Sequence, residues 1–207
     1  MCSSFVGFSE LSQDKARSIL EALRRGGVPK KYAEVLAVGR EKWLKSVDDD
    51  LLFISEGGAK TRFVVAPYGG GKTHFLTLVN DKALSEKFVV SFVELQSREA
   101  PFDEFETIFN RIIRNIRTTD DFGVQHIFDK WVNSFHYYKS KDIERELGDI
   151  SPSLDFRNAL RSYLEISSIN TPESLRRKQD IIAWIQGDPL PRSVLKNIGI
   201  RNNITIL

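Results

Sequence analysis

The feature that most constrains this chain of 207 residues is the stretch RFVVAPYGGGKTHF at positions 62–75. A β-branched and apolar run opens the stretch, and a proline closes that run. Three consecutive glycines follow and lead directly into a lysine and a threonine: Gly69, Gly70, Gly71, Lys72 and Thr73. Glycine lets a chain bend sharply without a side chain in the way. The stretch therefore predicts a buried strand at 62–66, a tight turn, and a helix from residue 72 to about residue 86.

A strand, a glycine-rich turn and a helix in this order are typical of the phosphate-binding loop known as Walker A. Its backbone N–H groups converge on one anion, and the positive end of the helix faces the same anion. Lys72 can reach the terminal phosphates, and the hydroxyl of Thr73 can ligate Mg²⁺. The predicted nucleotide ligands are the glycines and the first helical residues: Gly69, Gly70, Gly71, Lys72, Thr73 and His74.

Ala66 stands where the usual motif begins with glycine. Because this residue ends the strand and need not approach the phosphates closely, alanine is tolerated there. The alternative is a glycine-rich turn with a chance lysine. The apolar strand before the loop and the helix after it favour the phosphate loop.

Residues 38–41, Val-Gly-Arg-Glu, form a short box ahead of the loop and before a predicted helix. The box resembles one that precedes the Walker A strand in AAA+ and related ATPases, where its backbone packs on adenine. We therefore expect adenine near Val38 and Gly39. The alternative is a helix-to-helix turn with Gly39 in a left-handed conformation.

Helical periodicity dominates the chain outside two apolar strands. The second strand is FVVSFVEL at 88–95, which is apolar on both faces and therefore expected in a parallel sheet. Together with 62–66 and the helix between them, it would begin a right-handed βαβ unit. The predicted helices lie at 9–25, at 30–37, after 38–44, from 102 onward, and at 122–139, 154–167, 172–186 and 191–197.

These elements predict an α/β fold, an incomplete three-layer P-loop NTPase core of AAA+-like type, with N-terminal helices and a large helical segment after the second core strand. We expect an N-terminal helical segment at 1–58 and a P-loop βαβ core at 59–118. A helical segment at 119–207 would then continue into the missing part of the same domain. Such a sheet needs about five strands. The extended residues 203–207 are candidates for the start of a third.

No apolar run ending in two acids follows the loop, so the acid that anchors Mg²⁺ in these ATPases is missing. Glu94 ends the second strand, but a general polar role is favoured for it. Arg98 and Glu99 follow that strand and are second-rank candidates near the γ-phosphate. Catalytic residues therefore remain unknown. We expect the N-terminal part of a longer ATPase, or a chain that depends on a partner to complete its sheet.

The amino-acid composition limits which partners and metal sites the chain can have. The 30 basic and 28 acidic residues give a net charge of +2, which argues neither for nor against DNA as a partner. The single Cys2 excludes a thiolate zinc site. No run approaches the ~20 apolar residues of a membrane span. We expect no membrane partner and a reducing, cytoplasmic setting.

The order of the segments ILEALRRGGVP, VGRE, RFVVAPYGGGKTHFL, FVVSFVELQSREAPFDEFE and AWIQGDPLP resembles the ATP-binding protein family of bacteriophage-exclusion (BREX) defence systems, P-loop ATPases of AAA+ type. The resemblance spans about Lys15 to Ile200 and is most specific at the loop and at VELQSREAPF. It implies ATP phosphates on the three glycines, Lys72 and Thr73, and adenine near Val38 and Gly39. It also implies a Walker B strand and further sheet, which this chain does not show.

The main hypothesis is an ATP- or ADP-binding module with Mg²⁺ that acts as a nucleotide-driven switch in antiphage defence. Its expected partners are other defence-system proteins or a second copy of itself. A second hypothesis is a non-hydrolysing interaction or scaffold module, since the apolar helices of 102–186 need somewhere to bury their faces. A P-loop small-molecule kinase ranks third, because no arginine-rich helical lid stands out.

Overall fold

The computed structural model describes residues 11–27, 29–95, 103–134, 140–151 and 153–204. The chain divides into two compact units, one within residues 1–88 and the other within residues 89–207. The phosphate-loop sequence lies in the first unit.

The first unit is built from helices. They are α1 (Gln13–Arg24), a 3₁₀ helix (Lys30–Leu36), α2 (Glu41–Ser55) and α3 (Lys72–Ser85). The predicted amphipathic helix at 9–25 is confirmed within the described residues, and Ile19 is its buried side chain. α3 packs against both the 3₁₀ helix and α2. Its Leu78 joins Ala33, Ala37 and Leu44 in a small apolar core, which fixes the start of α3 relative to the 3₁₀ helix.

The residues between α2 and α3 do not form the predicted strand at 62–66. They run without a strand partner among the described residues, and the side chains of Phe63 and Val65 are 90% and 91% exposed. A strand is stabilised by backbone hydrogen bonds to a neighbour, which β-branched composition alone does not supply. Arg62 instead attaches the segment to α2, since it bonds to Asp50 and donates to Ser46 Oγ at 2.7 Å.

In the described part of the second unit, the first strand is β1 (Val90–Ser91). The described elements that follow are α4 (Phe105–Arg114), β2 (Ile116–Arg117), α5 (Val124–Ser134), α6 (Ser140–Ile150), α7 (Leu154–Ser167), α8 (Pro172–Ile185) and α9 (Arg192–Asn197). β1 and β2 pair in antiparallel register, with Val90 opposite Arg117. Thr171 and Ser174 form a reciprocal capping box at the start of α8.

The apolar core of the second unit lies between α5, α7, α8 and α9. Its central side chains include Tyr163 on α7 and Ile181 on α8, both fully buried. The Tyr163 hydroxyl donates a hydrogen bond of 2.8 Å to Asp129 Oδ1 on α5. Burial, followed by this bond to a carboxylate, raises the pKa of Tyr163. The tyrosine therefore acts as a neutral donor inside the helical core.

The predicted α/β three-layer core is wrong. The structure is mostly helical, and the described residues contain a single sheet of two strands. Of the strand predicted at 88–95, only Val90 and Ser91 are in β structure, and their pairing is antiparallel. A βαβ unit requires two parallel strands in one sheet, and that pairing is not found in the described part of the chain. Of the expected third strand, residues 203 and 204 are not β structure, and 205–207 lie outside the described residues.

Candidate functional site

The start of α3 presents backbone N–H groups that have no acceptor in the described part of the chain. Gly71 precedes the helix with φ +76°, and no side chain caps the helix end. The first helical bond runs from the Phe75 N–H to the Gly71 carbonyl at 2.9 Å. The N–H groups of Lys72, Thr73 and His74 therefore point out of the first turn, where a helix favours an anion.

Lys72 folds back over the loop that precedes it. Its Nζ donates to the carbonyl oxygens of Ala66 at 2.6 Å and Pro67 at 2.9 Å. The Gly70 N–H also donates to the Pro67 carbonyl, at 3.0 Å. A Cβ added to Gly70 would lie 3.0 Å from the Cβ of Ala66. The loop is thus tightly closed, and its lysine is held by neutral oxygens.

Arg40 brings the Val-Gly-Arg-Glu box to the loop. Its Nη2 donates to the Gly70 carbonyl at 3.4 Å, and its guanidinium lies 6.0 Å from the centre of the Phe75 ring. Arg40 is absent from the residues predicted from the sequence, although the Val-Gly-Arg-Glu box was the pattern that could have identified it. The box therefore contacts the loop through its arginine side chain.

Val38 and Gly39, the predicted adenine contacts, lie at the turn before α2. The Val38 side chain is 74% exposed. Gly39 has φ +73°, and its N–H donates to Glu41 Oε1 at 3.1 Å. These observations are those of a left-handed turn closed by a glutamate. The adenine contact at Val38 and Gly39 stays a prediction.

The side chains of Thr73 and His74 differ in their hydrogen bonding. His74 Nε2 lies 2.7 Å from the carbonyl oxygen of buried Ala33, which ties the first turn of α3 to the 3₁₀ helix. Thr73 is exposed, and its carbonyl accepts a hydrogen bond of 2.9 Å from Thr77 Oγ1. The Thr73 hydroxyl has no hydrogen-bond partner among the described residues. It is a hard oxygen donor of the kind that Mg²⁺ accepts, while His74 is engaged in positioning.

A cavity of about 600 Å³ opens beside the loop, between α2 and the extended residues 61–66. Its described lining contains three cationic side chains, three aromatic ones and no carboxylate. The lining residues are Arg40, Trp43, Val47, Thr61, Arg62, Phe63, Val64, Val65, Ala66, Gly70, Lys72 and Phe75. Cationic groups beside apolar and aromatic walls suit a ligand with an anionic part and a flat part.

Three further candidates named from the sequence follow the second predicted strand: Glu94, Arg98 and Glu99. Glu94 follows β1 in the second unit and is exposed, while Arg98 and Glu99 lie outside the described residues. Within the described ranges, no group of three or more His, Cys, Asp or Glu side chains could hold a metal ion. Mg²⁺ in nucleotide sites usually keeps several waters and binds one or two carboxylates together with the substrate phosphates, and the described lining of the cavity supplies no carboxylate.

None of the described helices combines the length and the apolar character needed to cross a membrane.

The comparisons with known proteins give a family. A protein-family model described as "BREX system ATP-binding protein BrxC/D" matches residues 11–206. No curated protein and no solved structure matches the chain. The matched range includes both the Val-Gly-Arg-Glu box and the glycine loop with Lys72. The chain belongs to the BREX system ATP-binding protein family BrxC/D.

Proposed function

We propose that residues 66–74 bind the phosphates of ATP and that the chain acts as a nucleotide-responsive switch in a BREX antiphage defence system. The observation that carries the proposal is the uncapped start of α3, which leaves three consecutive N–H groups without an acceptor among the described residues beside Lys72. Family membership supports ATP as the nucleotide.

Phosphate binding would change the partners of Lys72. Its Nζ is held by two neutral carbonyl oxygens, of Ala66 and Pro67. Hydrogen bonds from an ammonium group to a charged phosphate oxygen are stronger than those to a neutral carbonyl. Lys72 therefore leaves the loop carbonyls for the phosphate, and the loop is released from the lysine at the same step. This exchange is the element of the site that can respond to the nucleotide.

Thr73 is the residue that would hold Mg²⁺ through its hydroxyl. When bound with ATP, the ion supplies a positive charge that draws the phosphate oxygens together. We propose nucleotide binding and no hydrolysis step. The described lining of the cavity contains no carboxylate, and no residue is assigned as a general base.

The test is a calorimetric titration of the chain with ATP and with ADP, with and without Mg²⁺. Lys72→Ala should weaken binding by about tenfold to a hundredfold, the range for losing a charge-assisted hydrogen bond. Lys45→Ala removes the same charge from an exposed position of α2 and should leave the affinity unchanged. Thr73→Ala should reduce the gain in affinity that Mg²⁺ provides, and Thr73→Ser should retain it. Unchanged affinity in Lys72→Ala would refute the proposal.

A second candidate function is a non-hydrolysing interaction module. The observation that favours it is the exposure of Phe63 and Val65 on a segment that has no strand partner in the described chain. Sedimentation velocity distinguishes the two candidates. Concentration-dependent association that persists in Lys72→Ala supports the interaction module, and a monomer at all concentrations counts against it.

A further inference from the structure

Arg40 contacts the glycine loop from a distant position in the sequence. It directly precedes α2, and its side chain reaches Gly70, which is 30 positions further along the chain. A Cβ added to Gly71 would collide with Arg40 Nη2. The guanidinium therefore lies directly beside the glycine that begins α3, next to the N–H groups that we assign to the phosphates.

The interactions that hold Arg40 are weak for a group of this chemistry. A guanidinium offers five N–H donors in a rigid plane and bonds most strongly to carboxylates and phosphates. Arg40 has one long hydrogen bond to a neutral carbonyl and a distant contact with the Phe75 ring. It forms no ion pair with any residue in the described part of the chain.

Arg62 provides the comparison within the same cavity. Its Nε and Nη2 both bond to the carboxylate of Asp50, and Nη2 also donates to Ser46. The hydrogen bond to Asp50 raises the pKa of Arg62. Of the two arginines that line the cavity, one is thus neutralised by an acid and the other is held only by neutral groups.

We infer that Arg40 is a second cationic phosphate ligand. On nucleotide binding, its guanidinium moves away from the Gly70 carbonyl and binds the terminal phosphate groups together with Lys72. The inference rests on the proposed function, since it assigns a further ligand to the same loop. The release of Gly70 by Arg40 and the release of Ala66 and Pro67 by Lys72 then accompany the same binding event. Nucleoside polyphosphates are the ligand class that two such cations select.

The experiment compares ATP and inorganic tripolyphosphate as ligands of the unsubstituted chain and of Arg40→Gln. Tripolyphosphate carries the charge of ATP without its base, so it reports on phosphate contacts alone. Arg40→Gln should weaken both ligands by about tenfold or more. Arg40→Lys keeps the charge but loses the planar guanidinium, so its affinity for each ligand should lie between that of the unsubstituted chain and that of Arg40→Gln. Lys45→Gln, on the exposed face of α2, is the matched control and should bind both ligands normally.

Three results would overturn the inference or its basis. If Arg40→Gln binds tripolyphosphate as tightly as the unsubstituted chain does, Arg40 is not a phosphate ligand. The same holds if Arg40→Gln weakens ATP but not tripolyphosphate, which would assign Arg40 to the nucleoside. If the unsubstituted chain binds neither ligand, the proposed function itself fails. Thermal unfolding of each variant identifies one that has lost its fold, and Arg40→Lys, which keeps the long side chain and its charge, then carries the test.

Discussion

Gly71 has two structural tasks at the level of single residues. It begins α3 with φ +76°, a conformation that costs other residues about 1–2 kcal/mol. Its missing side chain also leaves the space that Arg40 Nη2 occupies. The same glycine therefore fixes the direction of the helix start and admits the arginine to the loop.

We expect Gly71→Ala to destabilise the fold by about 1 kcal/mol, because alanine is strained at this positive φ, and to reduce ATP affinity at least about tenfold, because the new Cβ displaces the Arg40 guanidinium from the loop. Gly57→Ala is the matched control. Gly57 has φ +90°, and a Cβ there would meet no heavy atom within 4 Å. Thermal unfolding and ATP titration of both variants make the measurement. Equal loss of ATP affinity in Gly57→Ala would show that strain alone is responsible.

The sequence made part of this site predictable. The glycines, Lys72 and Thr73 are recognisable as candidates because the motif is local, and their roles as phosphate and Mg²⁺ ligands stay predictions. The contact of Arg40 with Gly70 and that of His74 with Ala33 are not local, since the partners are 30 and 41 positions apart. Sequence spacing predicts neighbours on one helix, but it does not say which distant carbonyl a long side chain will reach.

At the level of elements, the extended residues after α2 are attached to that helix by charge. Asp50 accepts from Arg62 and lies 4.0 Å from Lys60 Nζ, so a single acid holds both ends of residues 60–62. The hydrogen bond from Arg62 lowers the pKa of Asp50. The lowered pKa means that the folded chain prefers the ionised acid.

Stability of the first unit should therefore depend on pH through Asp50. A carboxyl group with a lowered folded pKa stabilises the fold above its unfolded pKa, here 3.8, and this contribution is lost as the pH falls further through the folded value. Asp50→Asn should lower the free energy of unfolding at neutral pH and flatten its decline on acidification below that value. Urea denaturation followed by Trp43 fluorescence in a background with Trp131 and Trp184 replaced by Phe, with the neighbouring Asp49→Asn as control, measures both effects. An unchanged decline in Asp50→Asn would contradict this role.

The helices were more predictable than the strands for a physical reason. The prediction at 154–167 coincides with α7, because helical hydrogen bonds and side-chain periodicity are both contained in the segment. The strand predicted at 62–66 does not form, and the strand predicted at 88–95 is limited to Val90 and Ser91, because a strand depends on a partner that its own sequence does not specify. α6 was missed, since the predicted helices at 122–139 and 154–167 leave residues 140–150 without an assignment.

At the level of the whole molecule, the chain forms two compact units, and the candidate site lies within the first of them. The loop, Arg40 and the cavity all belong to the first unit. The second unit has its own apolar core around Tyr163 and Ile181. The sequence did not predict this division. It extended one domain across the point where the units meet in sequence, because it assumed a sheet shared by residues 62–66 and 88–95.

This division predicts where ATP will protect the backbone. In hydrogen exchange followed by mass spectrometry, ATP should slow exchange at residues 66–77, where the phosphates would engage the N–H groups and the first turn of α3. Peptides from residues 105–200 should exchange at the same rate with and without ATP. Lys72→Ala is the control and should show less protection at the same ATP concentration. Protection that is equal in both units would contradict a site contained within the first.

The exposed extended segment also has a consequence for the chain in solution. Residues 61–66, TRFVVA, combine β-branched and aromatic side chains with no internal proline, which is the composition of segments that stack into cross-β fibrils. Arg62 is the charge that opposes such stacking, and its bonds to Asp50 keep it fixed beside α2. An acid that folds the segment onto a helix thus also protects the chain against fibril growth. Acidification would release the segment from α2, and the charge of Arg62 would then be the protection that stays.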